Sequence, residues 1–212
     1  MAFIDTLTDN FDDNSLDAAK WATQVAGTST IQESDGKIII TPQANGSYYN
    51  YLYGQANYDM TGKRVYVQLK QMSGPNTFIG LMMWLSTGNY IEIVVDDGLI
   101  KASKQIASVW SDLATLTYNP DDMRYIALRE SGGTTYYEYS RNGKTWVTLY
   151  SVANPVAVTS LNPNLECSNN DSSSAPGAAW FDNFNIVDNS IPGNMYRRVS
   201  VGNGISTNDG VT

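Results

Sequence analysis

The sequence predicts an all-β protein built as a two-sheet antiparallel β-sandwich. Apolar residues recur at every second position through most of the 212-residue chain, as expected for strands with one buried face. Turn residues interrupt this pattern about every eight to twelve positions, a spacing typical of sandwiches. Tyrosine and glycine are abundant, at 14 and 17 residues, and they favour strands and turns over helices.

Six strands are predicted in the first half of the chain. The Asp96-Asp-Gly98 step is a hairpin signal, because aspartate and glycine both tolerate positive φ. A loop over 86–89, which contains a glycine, joins the predicted strands 78–85 and 90–95. The one helical piece expected is a short turn over 15–20, with Ser15 as its N-cap. The six strands span 37–41, 48–53, 64–71, 78–85, 90–95 and 99–106.

A three-stranded meander and two final strands are predicted in the second half. Ser131-Gly-Gly133 makes the first turn of the meander. Asn142-Gly143 makes the second, as a type I′ turn in which both central residues have positive φ. The predicted strands are 124–130, 134–140, 145–150, 164–168 and 179–187.

The sandwich is predicted to occupy residues 1–188 as one domain, with 189–212 outside it. This last segment is rich in Gly, Asn, Ser and Thr and has too few large apolar residues to add a core layer. A basic pair, Arg197 and Arg198, stands within it. Two interpretations remain open: a disordered tail, or a polar C-terminal interaction arm that becomes ordered only against a partner.

Composition excludes several classes of chemistry. The chain has no histidine, so mechanisms that use imidazole as a base or as a zinc ligand are excluded. A single cysteine, Cys167, can form neither an internal disulfide nor a four-thiolate metal site. The formal net charge of −8 argues against nucleic acid as a partner. The sequence contains no recognisable signal peptide and no apolar stretch long enough for membrane insertion, so neither is expected.

Three motifs resemble the concanavalin A-like lectin/glucanase superfamily, in particular its laminin-G-like and family-16-glucanase-like jelly rolls. Asp9-Asn-Phe-Asp-Asp13 with Lys20-Trp21 is similar to the opening motif of these domains. Tyr139-Ser-Arg-Asn-Gly-Lys-Thr-Trp146 resembles their hairpin, and Ala179-Trp-Phe-Asp-Asn-Phe184 resembles their closing strand. The resemblance covers about residues 6–188 and implies a jelly roll whose last strand returns beside the first. It leaves function open, because the superfamily contains lectins, hydrolases and structural modules.

The glucanase motif of this superfamily is broken in the sequence. A glycosidase needs two carboxylates on either side of the scissile bond. Family-16 glucanases place theirs on one strand as Glu-x-Asp-x-(x)-Glu. The nearest segment, over 90–97, has Glu92, but Val94 stands at the middle acidic position and Asp96 is expected in a turn. The sequence therefore predicts no catalytic residues and no enzyme.

A calcium site is one interpretation of the acidic residues near the two ends of the sandwich. The resemblance implies that Asp9 and Asp12 lie near Asp182, and related jelly rolls often carry a structural Ca²⁺ where the termini meet. Clustered carboxylates and loop carbonyls suit this ion. The other interpretation is that these aspartates cap turns, are solvated and bind no metal, so no cofactor is certain.

Alternation along four strands predicts an aromatic and polar outer surface. If the strands are neighbours in one sheet, the surface consists of Tyr66, Gln68, Trp84, Tyr90 and Glu92. Such a surface could bind a glycan by stacking and hydrogen bonding, or a protein partner by the same residue types. A third interpretation is that loops or the C-terminal arm cover it.

The function expected from these observations is that of a non-catalytic structural or binding module. The leading hypothesis is a bacteriophage virion component, either a capsid decoration or a tail protein, made in the host cytoplasm. Its partners would be neighbouring virion proteins or further copies of itself, with cell-surface carbohydrate as a second partner. The alternative is an extracellular, free-standing carbohydrate-binding module of a polysaccharide-degrading system. A glycoside hydrolase or lyase stays open as a third class only if a non-standard pair of carboxylates or tyrosines carries out the catalysis.

Overall fold

The computed structural model describes residues 1–46, 48–73, 77–169 and 172–189. These residues form two seven-stranded antiparallel sheets, which confirms the predicted sandwich. A short 3₁₀ turn, Ile4–Thr6, precedes the first strand. The strands are β1 (Trp21–Gln24), β2 (Thr30–Glu33), β3 (Ile38–Thr41), β4 (Tyr48–Gly54), β5 (Arg64–Ser73), β6 (Phe78–Ser86), β7 (Asn89–Asp96), β8 (Leu99–Ile106), β9 (Val109–Thr117), β10 (Tyr125–Ser131), β11 (Thr134–Ser140), β12 (Val147–Ala153), β13 (Asn162–Asn169) and β14 (Ala178–Asp182).

The strand order mixes early and late parts of the chain. Sheet I has the order β1-β4-β13-β6-β7-β8-β9. Sheet II has the order β12-β11-β10-β5-β14-β3-β2. β6 to β9 are consecutive hairpins, whereas the late strand β13 lies between β4 and β6. The centre of sheet I is therefore assembled from strands that are distant in the sequence.

The core lies between the two sheets and follows the predicted alternation. On β6 the side chains of Ile79, Leu81 and Met83 are fully buried, and on β5 those of Val65 and Val67 are too. These positions face inward because every second side chain of a strand points to the same side. Cys167 is buried in this core as a free thiol, in keeping with its role as a small apolar residue.

The two ends of the sandwich meet, as the resemblance implied. The backbone N–H of Phe184 donates to the carbonyl of Asp9 over 2.7 Å, and the N–H of Asp9 donates back over 3.1 Å. The ring of Trp21 packs edge-on against Phe184, with a centroid distance of 5.0 Å, and against Phe11 at 5.9 Å. This aromatic cluster fastens the opening segment to the closing one.

Local predictions were right for most strands, with several corrections. Three strands, β1, β2 and β9, were missed, and β14 ends at Asp182 rather than at Val187. The segment over 15–20 is a bend and a turn, not a helix, with the carbonyl of Asp17 as its acceptor. Asp97 and Gly98 both have positive φ, at 50° and 72°, as the hairpin requires. At the Asn142-Gly143 turn only Gly143 has a positive φ, so this turn is not type I′.

The predicted arm over 189–212 lies almost wholly outside the described residues, and Arg197 and Arg198 with it. Within the described ranges, no helix has the length and apolar character needed to cross a bilayer.

Candidate functional site

A groove runs over the outer face of sheet I. It consists of two adjoining cavities of about 510 and 590 Å³, which share Tyr51 of β4 and Tyr90 of β7 as lining residues. Apart from these tyrosines, the first cavity is lined mainly by neutral polar and apolar side chains, and the second contains four acidic side chains. We call them the amide cavity and the acid cavity.

The amide cavity is built for neutral hydrogen bonding beside aromatic rings. Trp84, which is 37% exposed, stands on its border. Asn162 and Asn164 project from alternate positions of β13 and are opposite Trp84 and Met82 of β6 in register. The lining residues besides the two shared tyrosines are Gln24, Tyr53, Met82, Trp84, Thr87, Asn162 and Asn164.

Two buried glutamates lie in the acid cavity. Glu92 of β7 is 0% exposed and Glu166 of β13 is 2% exposed, and both line this cavity. β6 separates the two strands, and its Gly80 is opposite Glu166 on one side and Val94 on the other. Glu92 stands one outward position away, opposite Met82. The glutamates therefore lie diagonally across β6, which presents Gly80 opposite Glu166 and Met82 opposite Glu92.

The carboxyl group of Glu92 is unusually placed. Neither of its oxygens has a hydrogen-bond partner among the described residues. Burial, followed by the negative charges of Glu166 and Asp112, raises the pKa of Glu92 well above its ordinary value of 4.5. A buried carboxyl without donors is stabilised by its proton, so this placement favours the neutral form of Glu92.

Glu166 has the opposite hydrogen bonding. The hydroxyl of Ser168, two residues further on the same face of β13, donates to Oε1 of Glu166 over 2.8 Å. Burial raises the pKa of Glu166 to about 7, while the Ser168 hydrogen bond lowers it. The charges of the two glutamates repel each other, which favours a pair that shares one proton.

Two further acids and one cation complete the acid cavity. Asp112 of β9 accepts hydrogen bonds from the Ser103 hydroxyl over 2.7 Å and from the Trp110 indole over 3.0 Å. Asp96 is the last residue of β7, not part of a turn as expected, and forms an ion pair with Lys101 over 2.6 Å. The charge of Asp96 is therefore compensated by Lys101, and that of Asp112 is stabilised by two neutral donors.

The Trp110 ring lines the acid cavity beside two other aromatic rings. Its centroid lies 6.2 Å from that of Phe78 and 6.3 Å from that of Tyr90. Glu92, which lines the same cavity, has no solvent-accessible surface.

The structure brings together only part of the predicted aromatic surface. Trp84, Tyr90 and Glu92 share the outer face of sheet I and line the groove. Tyr66 and Gln68 lie on β5, which belongs to sheet II, so they face the opposite side of the sandwich. The condition that all these strands are neighbours in one sheet was wrong.

On the outer face of sheet II, Tyr66 and Gln68 take part in packing. The Tyr66 ring lies 5.4 Å from that of Trp146 and 6.2 Å from that of Tyr125. Gln68 is 4% exposed and accepts hydrogen bonds from the Asn183 amide and the Tyr125 hydroxyl.

The predicted calcium ligands do not form one cluster. Among the described residues, no group of three or more acidic or cysteine side chains is placed to hold a metal ion. The carboxylate of Asp9 instead accepts from the Trp21 indole over 2.9 Å and lies 3.4 Å from the Lys20 ammonium. Asp12 accepts from the Asn10 amide, and Asp182 from the N–H of Asn183. Bound calcium stays a prediction.

Sequence reasoning missed Glu166, Asp112 and Tyr51. One signal was available for the first of them, since alternation along β13 places Asn162, Asn164, Glu166 and Ser168 on one face. What no local pattern supplies is the position of β13 between β4 and β6, which brings Glu166 to Glu92.

Comparison with solved structures finds the same fold in glucanases. A laminarinase from Flavobacterium sp. is 11% identical to this chain, with a TM-score of 0.65, over 84% of this chain and 97% of the other. The catalytic domain of an endo-1,3-β-glucanase from Thermotoga petrophila is 8% identical, with a TM-score of 0.62, over 84% and 94%. SCLam, a non-specific endo-β-1,3(4)-glucanase from family GH16, is 13% identical, with a TM-score of 0.62, over 84% and 88%. Neither the protein-family models nor the curated proteins give a match.

These comparisons establish the fold as a concanavalin A-like jelly roll and correct the functional hypothesis. The prediction of a non-catalytic virion component was wrong, because the similar structures named above are glucanases. The prediction that the chain is not an enzyme was wrong for the same reason, and a free-standing carbohydrate-binding module gains no better support. The expected partners and location stay predictions.

Proposed function

We propose that this protein is a glycoside hydrolase that cleaves a glucan in the groove of sheet I. The observation that carries the proposal is the pair of buried glutamates, Glu92 and Glu166, in the acid cavity. Glycoside hydrolysis needs one carboxyl that gives a proton and one carboxylate that attacks or activates water. The two carboxyl groups differ in a way that suits these roles. Glu92 has no hydrogen-bond partner among the described residues, whereas Glu166 accepts a hydrogen bond from a serine.

In this proposal Glu92 is the general acid. Its proton passes to the glycosidic oxygen, and the leaving sugar departs as an alcohol. Glu166, ionised, either attacks the anomeric carbon directly or removes a proton from the attacking water. The first route retains the configuration of the anomeric carbon and the second inverts it, so the anomer first released identifies the route.

The remaining residues of the groove suit a neutral polysaccharide. Tyr51 and Tyr90 lie where the cavities join, and Trp84 and Trp110 line one cavity each, so pyranose rings have aromatic faces on which to stack. The amides of Asn162 and Asn164 can both donate and accept, as sugar hydroxyls require. The names of the similar structures add β-1,3- and β-1,3-1,4-glucans as the first substrates to test.

The test is hydrolysis of β-1,3-glucan and of β-1,3-1,4-glucan, followed by release of reducing ends. Glu92→Gln and Glu166→Gln should each lower kcat by roughly 10²- to 10⁴-fold, the usual contribution of a general acid or base. Asp97→Asn is the matched control, because it removes an equal charge from an exposed hairpin position and should leave kcat unchanged.

Two results would contradict the proposal. Wild-type protein that releases no reducing ends from either glucan would remove the glucanase assignment. A large loss of activity in Asp96→Asn together with full activity in Glu166→Gln would instead place catalysis on the single strand β7. The second outcome is not expected, because the carboxylate of Asp96 is held by Lys101.

A further inference from the structure

The two glutamates of the acid cavity are alike in burial but unlike in their hydrogen bonds. Ser168 Oγ lies 2.8 Å from Oε1 of Glu166, and the hydroxyl proton can point only from serine to a carboxylate. No described residue offers a donor to either oxygen of Glu92. A donor stabilises the ionised form of a carboxyl, and the absence of donors in a buried place favours the neutral form.

Ser168 is held in a fixed position for this contact. It is fully buried on β13, whose two neighbours β4 and β6 pair with it along both edges. Its register partners are Tyr49 on one side and Phe78 on the other. The serine shares the outward face with Glu166 two positions away, so the distance between hydroxyl and carboxylate is set by the strand itself.

Other titratable groups surround the pair from each neighbouring strand. Of these, the charge of Asp112 raises the pKa of Glu92, whereas the Ser168 hydroxyl donates its hydrogen bond to Glu166. These groups are Tyr49 and Tyr51 of β4, Tyr90 and Asp96 of β7, Lys101 of β8 and Asp112 of β9.

We propose that Ser168 is the positioning residue that makes Glu166 the ionised member of the pair and leaves Glu92 as the member that keeps the proton. This inference rests on the proposed function, since it assigns the two roles of a glycosidase to the two carboxyls. Ser168 itself touches no reacting atom and acts through Glu166.

The direct test is a titration of the carboxyl carbons by ¹³C NMR in the substrate-free protein. The chain has only five glutamates, so labelled glutamate gives a spectrum in which Glu92→Gln and Glu166→Gln identify the two signals. Ser168→Ala should raise the pKa of Glu166 by about 1, the size expected for one lost hydrogen bond to a charged group. Ser168→Thr, which keeps the hydroxyl, should restore the wild-type titration.

Ser103→Ala is the matched control. Ser103 is equally buried on the same outer face, but its hydroxyl donates to Asp112 rather than to Glu166. This variant should leave the pKa of Glu166 unchanged. A thermal melt of each variant shows that the compared proteins are folded.

The same variants predict a change in the pH profile of hydrolysis. The acidic limb of kcat/KM follows the carboxyl that must be ionised, so Ser168→Ala should move this limb upward by about one pH unit. Loss of packing alone would lower the rate without moving the limb.

The inference is overturned if Glu166 titrates identically in wild type and Ser168→Ala, or if Glu92 loses its proton first in the wild type. Both readings come from protein without substrate. If neither glucan is hydrolysed, the glycosidase proposal fails while the NMR titration still decides what Ser168 does.

Discussion

Replacement of Glu166 by glutamine should make the protein more stable at alkaline pH. Burial raises the pKa of Glu166 in the folded state from the ordinary value of 4.5 to about 7. The folded state therefore binds this proton more tightly than the unfolded chain does, and the free energy of unfolding falls as pH rises from about 4.5 to about 7. A difference of about 2.5 in pKa, at 1.36 kcal/mol for each pKa unit, corresponds to about 3 kcal/mol.

Glutamine keeps the shape and the acceptor oxygen for Ser168 but cannot ionise. Glu166→Gln should therefore equal the wild type at about pH 5 and exceed its free energy of unfolding by about 3 kcal/mol at about pH 8.5. Urea unfolding at these two pH values, followed by tryptophan fluorescence, measures the difference. Asp97→Asn, at an exposed position, is the control for a change in net charge and should show no such pH dependence.

The reasoning is refuted if Glu166→Gln and wild type differ by the same amount at both pH values. A variant that is less stable than the wild type at pH 8.5 would refute it as well. Either result would mean that ionisation of Glu166 costs the folded protein nothing, so that its carboxylate is solvated.

Two more substitutions test the walls of the groove. Gly80→Ala should lower the free energy of unfolding by about 1–3 kcal/mol in urea unfolding, because a Cβ there would lie 2.8 Å from Cγ1 of Val94. Adding Val94→Ala should recover part of this loss, and an unimproved double variant would exclude the clash as its cause. Trp110→Ala should weaken the binding of a glucan oligosaccharide by roughly fivefold, about 1 kcal/mol, in calorimetry with catalytically disabled protein. Val109→Ala, at the exposed neighbouring position, should bind as before, and equal weakening in both would show that the effect is not that of the Trp110 ring.

The sequence was sufficient for most strands because alternation and turn chemistry are local. The hairpin at Asp97 and Gly98 is an example, since both residues adopt the positive φ that such a turn needs. The alternation of apolar residues along β5 and β6 likewise places Val67 and Leu81 in the core, because burial of one face fixes which positions point inward.

The assignment of each strand to one of the two sheets could not be predicted from local patterns. β5 and β6 are consecutive in the chain, yet they belong to different sheets. Alternation separates inward from outward positions but does not say which sheet a strand joins, so Tyr66 was placed beside Trp84 although they lie on opposite faces. The same limit hid Glu166, which reaches Glu92 only through the pairing of β13 with β6.

The insertion of β13 between β4 and β6 also governs when the groove can form. During synthesis β4 and β6 leave the ribosome long before β13, so each presents an unpaired edge to the cell until residue 169 has emerged. The nascent chain therefore has two unpaired, aggregation-prone strand edges at the place where the folded protein has its two buried glutamates. The groove is complete only when β13 has paired with both neighbours, and a chain that stops short of it is a candidate for aggregation and for chaperone capture.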